Sequence, residues 1–164
     1  MIRGVFETHV DVMDLDRSVE FYGTELGLAL ALRREVDAAR VDAHSRGARR
    51  FAFLWVGGQG HALLGLWERD RHRIHTQHFA FEVGLPELTA LVARLDQRGT
   101  ECRDFFQQRT TVPSVFGFIP AASIYFDDPD AHVVELVARL PGPPRPELGV
   151  VSWAEWSRVA QGAA

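Results

Sequence analysis

The sequence predicts an α+β fold in which two βαβββ modules pair curved mixed sheets around a central cleft. Short runs of alternating apolar and polar residues are typical of strands, and two longer runs have the spacing of amphipathic helices. The same order of elements occurs twice, with an offset of about 70 residues that aligns His9 with His78. Because the two copies of a duplicated unit are expected to be related by a pseudo-twofold axis, we expect the two sheets to face each other.

The first module is predicted as a strand, a helix and three further strands. The first strand covers residues 6–13, where apolar and polar residues alternate. The helix follows Asp14, a residue type that caps helix N-termini, and ends near Glu25 before Gly27. The remaining predictions are strands at residues 28–33, 50–56 and 61–68, a long polar loop at 35–49 and a glycine-rich turn at 57–60.

The second module repeats this order. A strand at residues 77–83 is followed by a helix with Pro86 near its start and Gly99 at its end. We then predict a short strand at 101–104, a long apolar loop at 106–121, and a hairpin of strands 123–127 and 132–138.

The domain prediction is one domain at residues 1–140, with modules at about 5–70 and 76–140. Residues 141–164 are predicted as a Pro-rich linker and a short C-terminal helix. Ser152 and Glu155 have the spacing of a capping box, which predicts the start of that helix. We expect Trp153 and Trp156 to pack the helix on the body of the protein or on a partner subunit.

Composition excludes several classes of function. The chain is 46% hydrophobic and 24% charged with a net charge of -4, which is ordinary for a soluble globular protein and lacks a nucleic-acid footprint. It contains no apolar run of the roughly 20 residues that a membrane span needs. The single cysteine, Cys102, excludes an intramolecular disulfide, so we expect a cytoplasmic protein with an unreactive thiol.

Three side chains are candidates for a metal site. Because side chains alternate along a strand, His9, His78 and Glu135 are predicted on the faces opposite their apolar neighbours. Glu135 lies between Val134 and Leu136, and a buried carboxylate needs a partner. Two imidazoles and a carboxylate are suitable ligands for Fe(II), Mn(II) or Zn(II), and three protein ligands leave open positions for substrate.

A structural role is the alternative for each of these residues. A single histidine on a strand is more often a surface or core residue than a ligand. His61, His72 and His75 are competing histidines; we expect His72 and His75 to be exposed in a charged turn and keep His61 as a spare ligand.

Five segments together resemble the vicinal oxygen chelate superfamily, which includes glyoxalase I, fosfomycin and bleomycin resistance proteins and extradiol dioxygenases. They are HVDV at 9–12, DLDRSVEFY at 14–22, ELGL at 25–28, HFAFEV at 78–83 and YFDDPDAHVVEL at 125–136. The resemblance covers about residues 5–140. It implies a homodimer and one divalent metal (Fe, Mn, Zn, Ni or Co) at His9, His78 and Glu135. It also implies a small-molecule substrate whose neighbouring oxygens the metal chelates.

Two departures from the family pattern narrow the range of reactions and substrates that we expect. Gly65 occupies the position where glyoxalase I enzymes usually have a fourth ligand, a glutamate, so four-ligand chemistry is not expected. Residues 115–120, Val-Phe-Gly-Phe-Ile-Pro, lack the basic and hydroxyl groups with which fosfomycin enzymes hold a phosphonate. An apolar or aromatic substrate is therefore expected.

Further residues are candidates for the same cleft. Tyr125 corresponds to a substrate-contacting tyrosine of fosfomycin enzymes, and Asp11 is placed to orient His9 or act as a base. Glu82 shares the predicted face of His78. Four aromatic residues either line the pocket or belong to the core: Trp55, Trp67, Phe116 and Phe118.

The leading hypothesis is a metal-dependent lyase or dioxygenase acting on a small oxygenated organic molecule. A metal-free binding protein that sequesters a drug, as bleomycin resistance proteins do, is the alternative from a different class. Fosfomycin modification is a third possibility. The lack of basic and hydroxyl groups in residues 115–120 disfavours it, because a phosphonate would not be held there.

Overall fold

The computed structural model describes residues 1–37, 39 and 45–161. The predicted loop at residues 35–49 therefore falls partly on residues 38 and 40–44, which lie outside the described residues. The chain divides into two compact units. Unit 1 comprises Met1–Gln77 and Asp128–Ala131, and unit 2 comprises His78–Asp127 and His132–Ala164.

Unit 1 contains the predicted strand, helix and three strands. They are β1 (Glu7–Val12), α1 (Leu15–Glu25), β2 (Ala29–Glu35), β3 (Arg50–Val56) and β4 (Ala62–Glu68). The sheet has the order β1-β4-β3-β2, in which β1 and β4 are parallel and the other pairs are antiparallel. The first βαβββ module is confirmed.

Local chemistry explains the boundaries of α1. The Asp14 side chain accepts hydrogen bonds from the backbone N–H groups of Asp16 and Arg17, at 3.0 and 3.1 Å, which caps the helix. Gly27 has φ +75°, a conformation that glycine adopts without a Cβ penalty. The helix packs against β3 and β4, and Val10 and Val12 of β1 are buried. The apolar face of the sheet is thus the one under the helix, as the alternation predicts.

Unit 2 repeats this arrangement and extends it by one strand. It contains β5 (His78–Glu82), α2 (Leu85–Gln97), β6 (Ser114–Phe116), β7 (Ala121–Asp127), β8 (Val133–Arg139), β9 (Val150–Ser152) and α3 (Trp153–Gln161). The sheet order is β5-β8-β7-β6-β9, with β5 and β8 parallel. The two mixed sheets of four and five strands confirm the α+β fold of paired βαβββ modules.

Two predictions in the second module are wrong. Residues 101–104 form no strand, because the chain folds back on itself there: the backbone N–H of Thr110 donates to the carbonyl of Cys102 at 3.0 Å. Only Arg103 makes isolated bridges, to Arg109 and Tyr125. The second strand of the module is instead β6, inside the segment predicted as a loop at 106–121.

The C-terminal segment belongs to unit 2. Its strand β9 pairs antiparallel with β6, and sequence reasoning missed both of these three-residue strands. The backbone N–H of Glu155 donates to Oγ of Ser152 at 3.2 Å, the bond that the capping-box pattern predicts for α3. Trp156 is buried with Val115 and Val151. Within the ranges described above, no helix has the length and apolar character that crossing a membrane requires.

The turn between β7 and β8 carries one strained residue. Ala131 has φ +65°, where a residue with a Cβ costs about 1 kcal/mol more than glycine. Its backbone N–H donates to the carbonyl of Asp128 at 3.0 Å, which closes the turn. By its contacts this turn belongs to unit 1, although the strands that it joins lie in unit 2.

Candidate metal centre

Glu135 is a buried carboxylate on β8. Its neighbours Val134 and Leu136 point to the apolar side of the sheet and are almost fully buried. Glu135 itself points to the opposite face, where only 9% of its side chain is exposed. A charge buried to this extent requires polar partners, and the structure supplies them from two neighbouring strands.

The first partner is His78, at the start of β5. Strands β5 and β8 are parallel, with His78 in register with Val133, and this places the imidazole beside Glu135. Nε2 of His78 lies 3.0 Å from Oε2 of Glu135. The histidine side chain remains 53% exposed. The structure therefore brings two of the three predicted ligands into direct contact, with the imidazole accessible from solvent.

The second partner is Ser123 on β7, which sequence reasoning did not identify. Its hydroxyl donates to Oε1 of Glu135, and its side chain is buried. The β7–β8 register pairs Tyr125 with Glu135, so Ser123 lies two residues along on the same face. Counting outward from the predicted turn at 128–131 pairs Glu135 with Ile124, one residue off the observed register, so the sequence prediction did not point to Ser123.

The pair fits one edge of a metal coordination shell. Ligand atoms bound at about 2.1 Å lie about 3.0 Å apart when they subtend a right angle at the ion, and about 3.4 Å apart in a tetrahedron. The observed separation of 3.0 Å between the imidazole nitrogen and the carboxylate oxygen matches the first value. Ser123 holds the other carboxylate oxygen and leaves Oε2 to a metal, the kind of orienting contact that metal ligands have in proteins.

Tyr125 completes the polar group of unit 2. Its ring centroid lies 5.9 Å from that of His78. Burial, reinforced by the negative charge of Glu135, raises the pKa of the Tyr125 phenol to about 12, although a hydrogen bond with Ser123 opposes the shift. The phenol is therefore protonated at physiological pH and acts as a hydrogen-bond donor rather than a base.

His9, the third predicted ligand, lies in unit 1 on β1. It is in register with Gly65 of β4. A Cβ atom at position 65 would lie 2.9 Å from Cδ2 of His9 and 3.0 Å from Cε1 of Phe53, both too close for an ordinary contact. The absence of a side chain at Gly65 thus makes room for the His9 ring, which Phe53 meets edge-on at a centroid distance of 5.7 Å.

The hydrogen bonding of His9 differs from that of a typical metal ligand. Nε1 of Trp67 donates to Nδ1 of His9 at 3.1 Å, and Nε2 of His9 lies 3.6 Å from Oε1 of Glu7. A metal-bound histidine usually donates its other ring N–H to an acceptor. Here the indole N–H, which can only donate, occupies that position.

The remaining candidates have other partners. Asp11 accepts a hydrogen bond from Nε of Arg69, and Glu82 accepts one from Nε of Arg139 at 2.8 Å on an exposed surface. The competing histidines at positions 61, 72 and 75 are exposed, and His61 as a spare ligand stays a prediction. Across the described part of the chain, no three His, Cys, Asp or Glu side chains form a group that could hold a metal.

Aromatic side chains extend the face of unit 2 that carries Glu135. Ser114 and Phe116 of β6 are in register with Ser123 and Ala121 of β7, so they share that face. Four phenylalanine rings form a continuous series with centroid distances of 5.5 to 5.7 Å: Phe106, Phe105, Phe116 and Phe118. Three of them are 44 to 58% exposed. Phe118 is thus a surface group, whereas Phe116 is half-buried.

Comparison with known structures gives the same fold. An integron cassette protein from the mobile metagenome of Halifax Harbour sewage outfall is 29% identical, with a TM-score of 0.59 over 84% of this chain and 99% of that one. The oxidase ChaP-H1 is 24% identical, with a TM-score of 0.57 over 87% and 100%. A variant of the fosfomycin resistance protein FosX from Listeria monocytogenes, solved with Mn(II) and dihydroxypropylphosphonic acid, is 20% identical, with a TM-score of 0.58 over 85% and 95%.

A family model gives the assignment directly. No curated protein matches the chain at a significant level. The model of the Glyoxalase/Bleomycin resistance protein/Dioxygenase superfamily, however, matches residues 7–136, which include both modules. The match confirms the resemblance inferred from the sequence motifs. The chain belongs to the Glyoxalase/Bleomycin resistance protein/Dioxygenase superfamily.

Proposed function

We propose that this protein is a divalent-metal-dependent enzyme of the lyase or dioxygenase type, acting on a small apolar or aromatic molecule with neighbouring oxygens. The observation that carries the proposal is the contact between His78 and the buried Glu135, whose second oxygen is held by Ser123. We assign His78 and Glu135 as metal ligands, with His9 as the third. Mn(II) in the FosX complex supports a divalent ion of this kind.

The metal would supply positive charge to two substrate oxygens and so stabilise negative charge developing there. Side chains of the protein orient the carboxylate ligand and bind the substrate. Ser123 fixes the Glu135 carboxylate, and Tyr125 donates its phenolic proton to a hydrogen bond with the substrate. For Asp11 a role as a base stays a prediction, because its contact with Arg69 supports a structural role equally well.

The substrate class follows from the phenylalanine series of unit 2. Phe116 is on the face of Glu135, two strands away, and the other three rings continue from it as an apolar surface. At about 4.8 Å per strand and 3.3 Å per residue, Phe116 lies two strands across and four residues along the sheet from Glu135, about 16 Å between the two backbones. A substrate with a planar or apolar group joined to a pair of oxygens would match both the phenylalanine series and the proposed metal.

Metal content tests the proposal. Protein purified without chelator is expected to contain about one equivalent of divalent metal per chain, and His78→Ala and Glu135→Ala are expected to contain less than about a tenth. His72→Ala, which removes an exposed histidine of the turn Arg71–Arg73, is the matched control and is expected to retain the metal. Equal metal content in all four proteins would contradict the assignment.

A metal-free binding protein is the second candidate. The exposed phenylalanine series suits the sequestration of an apolar drug without any metal. Wild-type protein that contains less than about a tenth of an equivalent of divalent metal and still binds aromatic ligands would favour this function.

Fosfomycin modification is a third candidate. We expect no change in the fosfomycin tolerance of a sensitive bacterium that expresses the chain, because residues 115–120 lack the basic and hydroxyl groups that hold a phosphonate.

Assembly and location are proposed on separate grounds. Exposed apolar residues in both units support a homodimer: Phe6, Leu30, Phe106 and Phe118 are 62, 50, 54 and 58% exposed. Light scattering in solution tests the dimer. The single cysteine, Cys102, excludes an intramolecular disulfide and supports a protein that works in the reducing cytoplasm, where burial, which raises the pKa of the thiol to about 11, keeps it unreactive.

A further inference from the structure

The imidazole of His9 is held in one tautomer by its surroundings. A neutral imidazole has one N–H and one bare nitrogen, and only the bare nitrogen accepts a hydrogen bond. Because Trp67 Nε1–H donates to Nδ1 at 3.1 Å, Nδ1 is the bare nitrogen. The proton of neutral His9 is then on Nε2, which faces a carboxylate oxygen of Glu7 at 3.6 Å. The hydrogen bond from Trp67 thus favours the tautomer that carries its proton on Nε2.

The donor, Trp67, is itself firmly placed. It is 7% exposed, and its ring stacks on Phe51 with a centroid distance of 4.9 Å and an interplanar angle of 24°. Strand β4 positions it in register with Asp11, two residues along β1 from His9 and on the same face. The indole N–H is therefore directed at the imidazole by the sheet and by the aromatic stack.

We propose that Trp67 competes with the metal for His9, so that metal binding at this residue breaks the Trp67–His9 hydrogen bond. This inference rests on the proposed function. A metal bound at Nδ1 takes the lone pair that the indole now uses. A metal bound at Nε2 displaces the proton from that nitrogen, and the neutral ring then carries a proton taken up at Nδ1, which cannot accept from Trp67. Either route releases the indole N–H.

The competition makes Trp67 a positioning residue that tunes metal affinity. In the metal-free protein it keeps the His9 ring ordered against Gly65. On metal binding the protein loses one hydrogen bond between neutral groups, which lowers metal affinity by about fivefold relative to a site without that bond. Removal of the Trp67 N–H acts on His9 and not on His78, because His78 contacts the Glu135 carboxylate and not an indole.

Nuclear magnetic resonance of the indole groups tests the inference. The chain has four tryptophans, so the spectrum contains four indole N–H signals, and Trp67→Phe identifies the one from Trp67. On titration of wild-type protein with Zn(II), we expect the Trp67 signal to shift and to saturate at one equivalent. In the metal-free protein, nitrogen-15 shifts of His9 are expected to show an unprotonated Nδ1.

Affinity measurements provide the second readout. Trp67→Phe keeps an aromatic ring on Phe51 but removes the N–H, and is expected to bind Zn(II) about fivefold more tightly. Trp55→Phe, on the same face of the neighbouring strand β3, is the matched control and is expected to bind as the wild type does. If Trp55→Phe binds Zn(II) as the wild type does, the tighter binding of Trp67→Phe does not arise from a general loosening of the sheet.

The outcomes separate this inference from the proposed function. Metal binding at one equivalent with an unmoved Trp67 signal, or with unchanged or weaker affinity in Trp67→Phe, would overturn the inference alone. A protonated Nδ1 in the metal-free protein would overturn it as well. Binding by Trp67→Phe but not by the wild type would support it in its strongest form. Absence of Zn(II) from wild-type and Trp67→Phe proteins alike would overturn the proposed function and the competition with it.

Discussion

The hydroxyl of Tyr22 donates a buried hydrogen bond to Oδ2 of Asp128 at 2.8 Å, although 106 residues separate them in the sequence. Tyr22 is fully buried on α1, and Asp128 begins the turn between β7 and β8. Burial, with the Asp128 charge beside it, raises the pKa of the Tyr22 phenol well above its usual range. The phenol therefore stays a donor, and the turn is tied to the first helix by side-chain chemistry.

Removing that donor is expected to destabilise the protein. Tyr22→Phe leaves the Asp128 carboxylate without its phenolic partner, so we expect the free energy of unfolding to fall by about 2 kcal/mol. Urea denaturation measures the change. Asp128→Asn and the double variant complete a mutant cycle, and additive effects in that cycle would show that the two residues do not interact.

Ser123 is expected to control metal affinity through Glu135. Ser123→Ala removes the hydroxyl that fixes Oε1 of the carboxylate, and loss of such an orienting contact typically weakens metal binding by about 10- to 100-fold. Isothermal titration with Mn(II) measures the effect. Ser114→Ala is the matched control, because Ser114 is buried opposite Ser123 but its Oγ accepts from the backbone N–H of Phe105. Equal losses in both variants would assign the effect to the sheet.

Gly65 is expected to tolerate no side chain. In Gly65→Ala the new Cβ would contact the His9 ring at 2.9 Å, so the ring must move away from its position. We expect weaker metal binding and a loss of about 1 to 3 kcal/mol of stability from overpacking. Gly23→Ala, inside α1 with its nearest atom at 3.7 Å, is the control and should be stabilised slightly. Metal affinity of Gly65→Ala equal to that of the wild type would argue against His9 as a ligand.

The acid sensitivity of the protein is expected to depend on Glu68. Hydrogen bonds, above all from Arg50, lower the pKa of the buried Glu68 carboxyl to about 2 from a value of 4.5. A carboxyl whose pKa is depressed by folding contributes stability that is present above pH 4.5 and is lost as the pH falls toward 2.

Unfolding measured from pH 7 to pH 2 tests this assignment. Glu68→Gln is expected to be less stable by about 2 kcal/mol at pH 7 and to lose less stability on acidification than the wild type does. Glu147→Gln changes an exposed carboxyl and serves as the control. Parallel pH profiles for the wild type and Glu68→Gln would show that another group is responsible.

Long alternating segments made most of the fold predictable. β1, α1, β3, β7 and β8 are close to their predicted bounds because a buried apolar face repeats with the period of the element. β6 and β9 have three residues each, too few to show a period, and they are strands only because each pairs with the other and β6 also with β7. Residues 101–104 are predicted as the second strand of the second module, but a left-handed turn at Gln107, φ +64°, folds the segment back.

The sequence identified the residues that we propose as ligands, but it did not identify their hydrogen-bond partners. His78 and Glu135 follow from strand alternation and from the family motifs, and their contact depends on the parallel β5–β8 register. Trp67 donates to His9 across 58 residues of sequence, and its direction depends on a ring stack with Phe51 that no local pattern contains. Either nitrogen of a neutral imidazole can accept a hydrogen bond, so the tertiary structure, and not the local sequence, decides which one does.

A crystal structure of the protein with Mn(II) or Zn(II) tests the central claim most directly. Anomalous diffraction is expected to show one metal ion about 2.0 to 2.2 Å from Nε2 of His78 and from Oε2 of Glu135, with Ser123 still bonded to the other carboxylate oxygen. At a saturating metal concentration, an anomalous map without a peak there and a His78–Glu135 hydrogen bond still intact at 3.0 Å would contradict the account.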